Sequence, residues 1–211
     1  MNFDLDFDFD IDDFDTEIGS EDVISNVIKP KLPKKILEKH INYSNAKKLV
    51  KKLDLAKRNF CIVDGKFIFG ELIEAILIEN ELKAELVSIS TLSMSQENID
   101  SLTALLHFDK CIDKLDLIVS AYYFSHERNG AIKYIYENLN KENKFQLAVT
   151  RTHTKICLIK TYCGKYIIIH GSANLRSSGN YEQFIVENDK ELFDFTLDFH
   201  NKIISEYKTI K

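Results

Sequence analysis

His153 and Lys155 stand two residues apart on a segment predicted as a strand, where a period of two turns both side chains to one face. Across a predicted hairpin, Gly171-Ser172-Ala173-Asn174 brings a carboxamide to the end of the adjacent strand, and Glu182 opens the next one. These residue types suit attack on a phosphodiester. A neutral imidazole can attack phosphorus, and an ammonium and a carboxamide can hold the non-bridging oxygens as charge builds on them. A carboxylate can fix the imidazole tautomer. Such a set asks for no metal ion and no cofactor. A second His-x-Lys, His200-Asn201-Lys202, lies in the predicted closing helix with no Gly-Ser-x-Asn behind it, and is read as surface.

Taken together, His153, Lys155, the GSAN block and Glu182 resemble the signature of the phospholipase D superfamily, His-x-Lys followed by Gly-Ser-x-Asn and a downstream Glu. The resemblance covers about residues 119–204, and GSANLRSSGNYEQF is its most specific part. It implies a layered α/β fold with a mixed sheet flanked by helices. It also implies a phosphohistidine intermediate formed and hydrolysed without metal, with His153 as nucleophile in one motif copy and general acid in the other. Lys155 and Asn174 would bind phosphate, and Ser172 and Glu182 would support the histidine. The family's site uses two copies and this chain has one, so the resemblance implies a homodimer with the two His153 side chains near its two-fold axis.

The family's motif carries an Asp five residues after the lysine, and Lys160 stands there instead. That departure leaves two readings open: a metal-independent nuclease, or a relative that binds nucleic acid or assembles without turnover. A phospholipase is the weakest reading, because no amphipathic helix with aromatic anchors suited to a membrane is present. The block is also similar to proteins of phages and mobile elements of low-GC bacteria. The predicted partner is nucleic acid, with DNA favoured over RNA.

Around this set, Arg151 and Arg176 are candidate substrate contacts, with Lys160 and Lys165 adding positive charge. His126 and Arg128 follow a predicted buried strand, in a segment that reads as a solvated loop or, where the resemblance places cleft loops, as candidate substrate contacts. His170 reads as a core or edge histidine, and Tyr122, Tyr123 and Phe124 read as core in preference to a base-stacking platform. The four cysteines, Cys61, Cys111, Cys157 and Cys163, form no CxxC pair and are read as reduced thiols without metal.

The elements that must position these residues alternate between strand and helix from residue 59 onward. NFCIV and KFIFG read as a hairpin about Asp64-Gly65. Then follow a helix at ELIEAILIENEL, a strand at ELVSISTL, a helix at SQENIDSLTALLHF, an apolar strand over DLIVSAYYF and a helix at GAIKYIYENLNK. Three strands, FQLAVT, KICLIKT and KYIIIHGSA, precede a last strand, QFIVEN, and a helix over 189–207 with Leu192, Phe195, Phe199 and Ile203 as its apolar stripe.

The net charge of −5 is unevenly spread along the 211 residues. Residues 1–22 carry −10 and no basic residue, residues 29–58 carry +9, and residues 59–211 carry −4. The reading is a disordered acidic tail (1–22), a basic linker with two short helices (23–58) and a phospholipase-D-like α/β domain (59–211). The tail reads either as a solubilising segment or as an acidic, aromatic-bearing peptide that docks on a basic groove of this protein or of a partner. No stretch is apolar enough to span a membrane and no export signal is visible, so a cytoplasmic protein is expected.

Overall fold

A computed structural model describes residues 37–42, 46–63, 69–176 and 180–210. Its strands are β1 (Leu37–Asn42), β2 (Arg58–Val63), β3 (Ala84–Thr91), β4 (Leu115–Ser120), β5 (Phe145–Thr150), β6 (Ile156–Thr161), β7 (Tyr166–Gly171) and β8 (Glu182–Asn188). They form one mixed sheet in the order β1-β2-β8-β7-β6-β3-β4-β5. β3, β4 and β5 run parallel to one another, as β1 does to β2, and the four pairings in between are antiparallel. The apolar runs of β4, β6 and β7 are those of central strands buried on both faces.

The helices are α1 (Ala46–Val50), α2 (Phe69–Glu79), α3 (Gln96–Thr103), α4 (Ala121–His126), α5 (Lys133–Leu139) and α6 (Lys190–Tyr207). α3 runs on into a π-turn, Ala104–Phe108, so that Ile99, Leu102, Leu105 and Leu106 all enter the core as their spacing predicts. The large hydrophobic cluster joins α1, α2, α3 and α5 to one face of the sheet. On the other face Phe193 of α6 packs on Leu158 and Ile168. This layered α/β arrangement is the expected fold class.

Four expectations differ from the structure. Leu37–Asn42, predicted as helix, is an edge strand in parallel register with β2. Phe69 and Gly70, predicted as the end of a hairpin strand, open α2, and the partners of β2 are β1 and β8; the predicted turn at Asp64-Gly65 lies outside the described residues. The apolar strand at DLIVSAYYF stops at Ser120, whose hydroxyl accepts the Tyr123 N–H at 3.0 Å and starts α4, a side-chain cap that ends the strand. In α6 the buried residues are Phe193, Thr196 and His200, whereas Phe195 and Phe199 of the predicted stripe are exposed. The acidic tail 1–22 lies outside the described residues. Among the described residues, no helix is long and apolar enough to cross a membrane.

Candidate active site

Every strand that points its C-terminus toward one end of the sheet contributes to a single edge there. β2, β3, β4 and β5 end at it, β7 ends at it with Gly171, and β6 and β8 begin at it with Ile156 and Glu182. The carboxyl ends of parallel strands are where open α/β sheets place ligands. β5 is the sheet's edge and β6 is three strands in, so residues 151–155 cross over the ends of β4 and β3. His153 and Lys155 lie on this crossing, just before β6 rather than within it.

The crossing is fastened by its neighbours. Thr152 and Thr154 share a hydroxyl hydrogen bond of 2.8 Å, and both meet Ser90 of β3. His153, between them, is left exposed at the edge. The Lys155 ammonium lies 3.2 Å from His153 Nδ1 and donates to the His153 carbonyl at 2.9 Å. Partial burial holds Lys155 below the ordinary lysine value, and the nearby Glu182 carboxylate works against that.

The GSAN block docks from the other side. A Cβ on Gly171 would lie 2.2 Å from the Gln183 carbonyl oxygen and 2.6 Å from Phe184 Cα, so only glycine lets β7 and β8 close here. Ser172 then donates its hydroxyl to the Glu182 carboxylate and accepts the Gln183 N–H at 3.1 Å. The Asn174 carboxamide oxygen accepts the Leu92 N–H at 3.3 Å, while the Leu92 carbonyl takes the Ser120 hydroxyl at 2.7 Å. Asn174 is thereby tied to the ends of both β3 and β4.

Of the remaining candidates, Arg151, Arg176, His126 and Arg128 are exposed, Arg151 at the start of the crossing and His126 at the end of α4. Lys160 and Lys165 do not add charge to the site. They sit at the opposite end of the β6–β7 hairpin, where Lys160 pairs with Glu85 at 2.6 Å. Tyr122 is not core: it is 69% exposed and stacks on His126, whereas Tyr123 is buried with its hydroxyl on the Met94 carbonyl.

His200, read as surface, is fully buried, and its Nδ1 lies 2.8 Å from the Ser88 hydroxyl. Burial pushes its pKa down to about 4. A cleft of about 370 Å³ opens beside the crossing, between the β6–β7 edge and α6, lined among others by His153, Lys155 and His170. His170 faces the buried Glu187 at 3.7 Å, and Arg58 Nε holds the same carboxylate at 3.0 Å. Sequence reading passed over Arg58 and Glu187, since their proximity depends on the β2–β8 pairing and on no motif.

No family model and no curated protein matches the sequence. Among solved structures, the chain is similar to NucT from Helicobacter pylori, with a TM-score of 0.51 and 17% identity over 71% of this chain and 97% of that one. It is also similar to Nuc from Salmonella typhimurium, a phospholipase D family member, with a TM-score of 0.49 and 13% identity over 70% and 94% of the two chains. A third match is TrmBL2, an archaeal chromatin protein with a novel mode of DNA binding, at a TM-score of 0.46 and 12% identity over 76% of this chain and 56% of that one. The chain shares the layered α/β fold of NucT, the fold class that the sequence leads one to expect.

Proposed function

We propose that this chain, folded as the phospholipase-D-like proteins are, is a phosphodiesterase that cleaves nucleic acid through a phosphohistidine on His153. The observation that carries this reading is the Lys155 ammonium 3.2 Å from His153 Nδ1, on the same sheet edge as the Ser172–Glu182 pair and Asn174. An incoming phosphate takes over the Lys155 ammonium. His153 Nδ1 then carries the imidazole proton, and the Nε2 lone pair attacks phosphorus. The P–O bond to the leaving group breaks, and the leaving oxygen takes a proton from the partner's His153 in a homodimer. Water, deprotonated by that same imidazole, then cleaves the P–N bond and releases a phosphomonoester. Lys155 and the Asn174 amide hold the charge that builds on the non-bridging oxygens, while Glu182, fixed by Ser172, keeps Lys155 charged. Arg151, Arg176, His126 and Arg128 bind the flanking polyanion.

The setting we infer is the cytoplasm, that of a bacterial host where a phage or mobile element carries the gene. Plasmid, single-stranded DNA and RNA incubated in EDTA with wild type and with His153→Ala test the chemistry. Cleavage by wild type alone is expected. Binding without cleavage by either protein would instead make the chain a nucleic-acid-binding relative, and loss of cleavage in EDTA would overturn the metal-free route. Light scattering after size exclusion tests the dimer, and a fully active monomer would overturn the shared site. Residues 1–22, at −10, compete with nucleic acid for the basic surface, so their deletion tightens binding at low salt.

A further inference from the structure

Two large aromatic side chains stand out on the edge that carries His153. Tyr122 is 69% exposed and Tyr181 is 76% exposed. Tyr122 is the second residue of α4, which follows β4 directly, and Tyr181 directly precedes β8. In the strand order, β6 lies two places from β4 on one side and two places from β8 on the other. At ~4.8 Å per strand, each tyrosine is rooted roughly 10 Å from the strand that His153 and Lys155 precede, so the two rings flank the site at a span of about 19 Å.

The Tyr122 ring is set in advance. It stacks on His126 with centroids 3.9 Å apart and planes at 27°. His126 is held in turn by a 2.8 Å hydrogen bond from Nδ1 to the Tyr122 carbonyl, with the Ser125 hydroxyl 3.1 Å from the same nitrogen. A rigid, half-covered aromatic pair offers its open face at low entropic cost. Between the rings, half-buried Lys155 supplies positive charge on the crossing, and exposed Arg151 adds it on the outer side of Tyr122, at the end of β5. Ring faces alternating with cations are what an unpaired strand asks of a surface, since its bases can leave their own stack to lie on aromatic rings while its phosphates follow the charge. A duplex keeps its base faces covered.

We infer that Tyr122, backed by His126, and Tyr181 are base-stacking platforms on either side of the scissile phosphate, and that the substrate is a single-stranded nucleic acid. This rests on the nuclease reading and narrows it. The test measures binding by fluorescence anisotropy in the His153→Ala background, so that cleavage does not intervene. The probes are a labelled thymidine oligonucleotide, the same sequence as a duplex, and an abasic oligonucleotide of equal length. Tyr122→Ala and Tyr181→Ala should each weaken single-strand binding by about 5- to 100-fold. Tyr122→Phe and Tyr181→Phe should bind as the parent does, because the ring and not the hydroxyl stacks. Duplex and abasic affinities should stay within about twofold. Equal losses on the abasic probe, or alanine variants that bind the single strand unchanged, would overturn the platforms and leave the nuclease reading standing. Failure of every probe to bind the parent protein would overturn both.

Discussion

The chain contains His-x-Lys twice, and the two copies meet opposite fates. His153-Thr154-Lys155 lies on the crossing just before β6, fastened by Thr152 and Thr154 on Ser90, and its imidazole and ammonium meet at 3.2 Å at an exposed edge. His200-Asn201-Lys202 runs in helix, where two residues are about 200° apart. Its histidine is fully buried against Ser88 and its lysine is exposed on the far side. A three-residue pattern therefore carries no chemistry of its own. Backbone conformation decides whether the two groups share a face, and burial decides whether the imidazole can take part in reactions with water-borne substrates.

The widest separation of the two copies is expected from alanine at each histidine. His153→Ala should lower cleavage by about 10³-fold or more and leave unfolding by urea within ~0.5 kcal/mol of wild type, since an exposed side chain supports little packing. His200→Ala should do the reverse. It removes a buried ring and strips Ser88 of its partner, at a cost of about 3 kcal/mol, while the fraction that stays folded cleaves normally. Equal loss of activity per folded molecule in both variants would erase the distinction.

Acid sharpens the contrast next. An imidazole in the unfolded chain takes a proton near its ordinary value of 6.5, whereas buried His200 resists protonation until about pH 4. Below 6.5 the unfolded state binds more protons than the folded one, so stability falls as pH falls through the window from 6.5 to about 4. The loss attributable to this residue approaches roughly 3 kcal/mol at the bottom of that window. Urea titrations at neutral and at mildly acidic pH should show it in wild type. In His200→Ala that component of the slope should vanish, and in His153→Ala it should persist.

These fates also mark how much was legible beforehand. The alternation of strand and helix from β3 to β8 follows from local pattern, and the convergence of His153, Lys155, Ser172, Asn174 and Glu182 on one edge follows from their spacing about the β6–β7 hairpin and β8, although His153 and Lys155 precede β6 instead of lying on a strand. What escaped was whatever depends on a distant partner. Phe195 and Phe199 make the better apolar stripe on paper, yet α6 buries Phe193, Thr196 and His200 because Leu158, Ile168 and the Ser88 hydroxyl lie beneath that face. Leu37–Asn42 has helical spacing but becomes a strand beside β2. The Ser120 cap turns an apolar strand into α4 and puts Tyr122 on the surface.

Within the exposed copy, Glu182 separates positioning from catalysis. Its carboxylate raises the pKa of Lys155 against the depression caused by burial. Glu182→Gln should lower kcat/KM by about tenfold, as a lost charge-assisted interaction does. It should also move the alkaline limb of the pH profile to lower pH, because Lys155 then loses its proton earlier. A lower rate with an unmoved limb would show that Glu182 acts elsewhere than through the lysine.

The smallest effect is expected where the departure from the family pattern is most conspicuous. Lys160 lies four residues along β6 from Ile156, roughly 13 Å from the reactive edge at ~3.3 Å per residue. There it pairs with half-buried Glu85 across the β3–β6 ladder. Lys160→Asp restores the motif's residue but sets a second carboxylate beside Glu85. A solvent-screened pair of this kind contributes little, so the variant should be only slightly destabilised and should cleave within about twofold of wild type. A large gain in turnover would mean that position 160 speaks to His153 along the strand, and that the lysine had been holding the enzyme back. An unchanged rate assigns Lys160 to the opposite end of the sheet, with no part in the fate of either histidine.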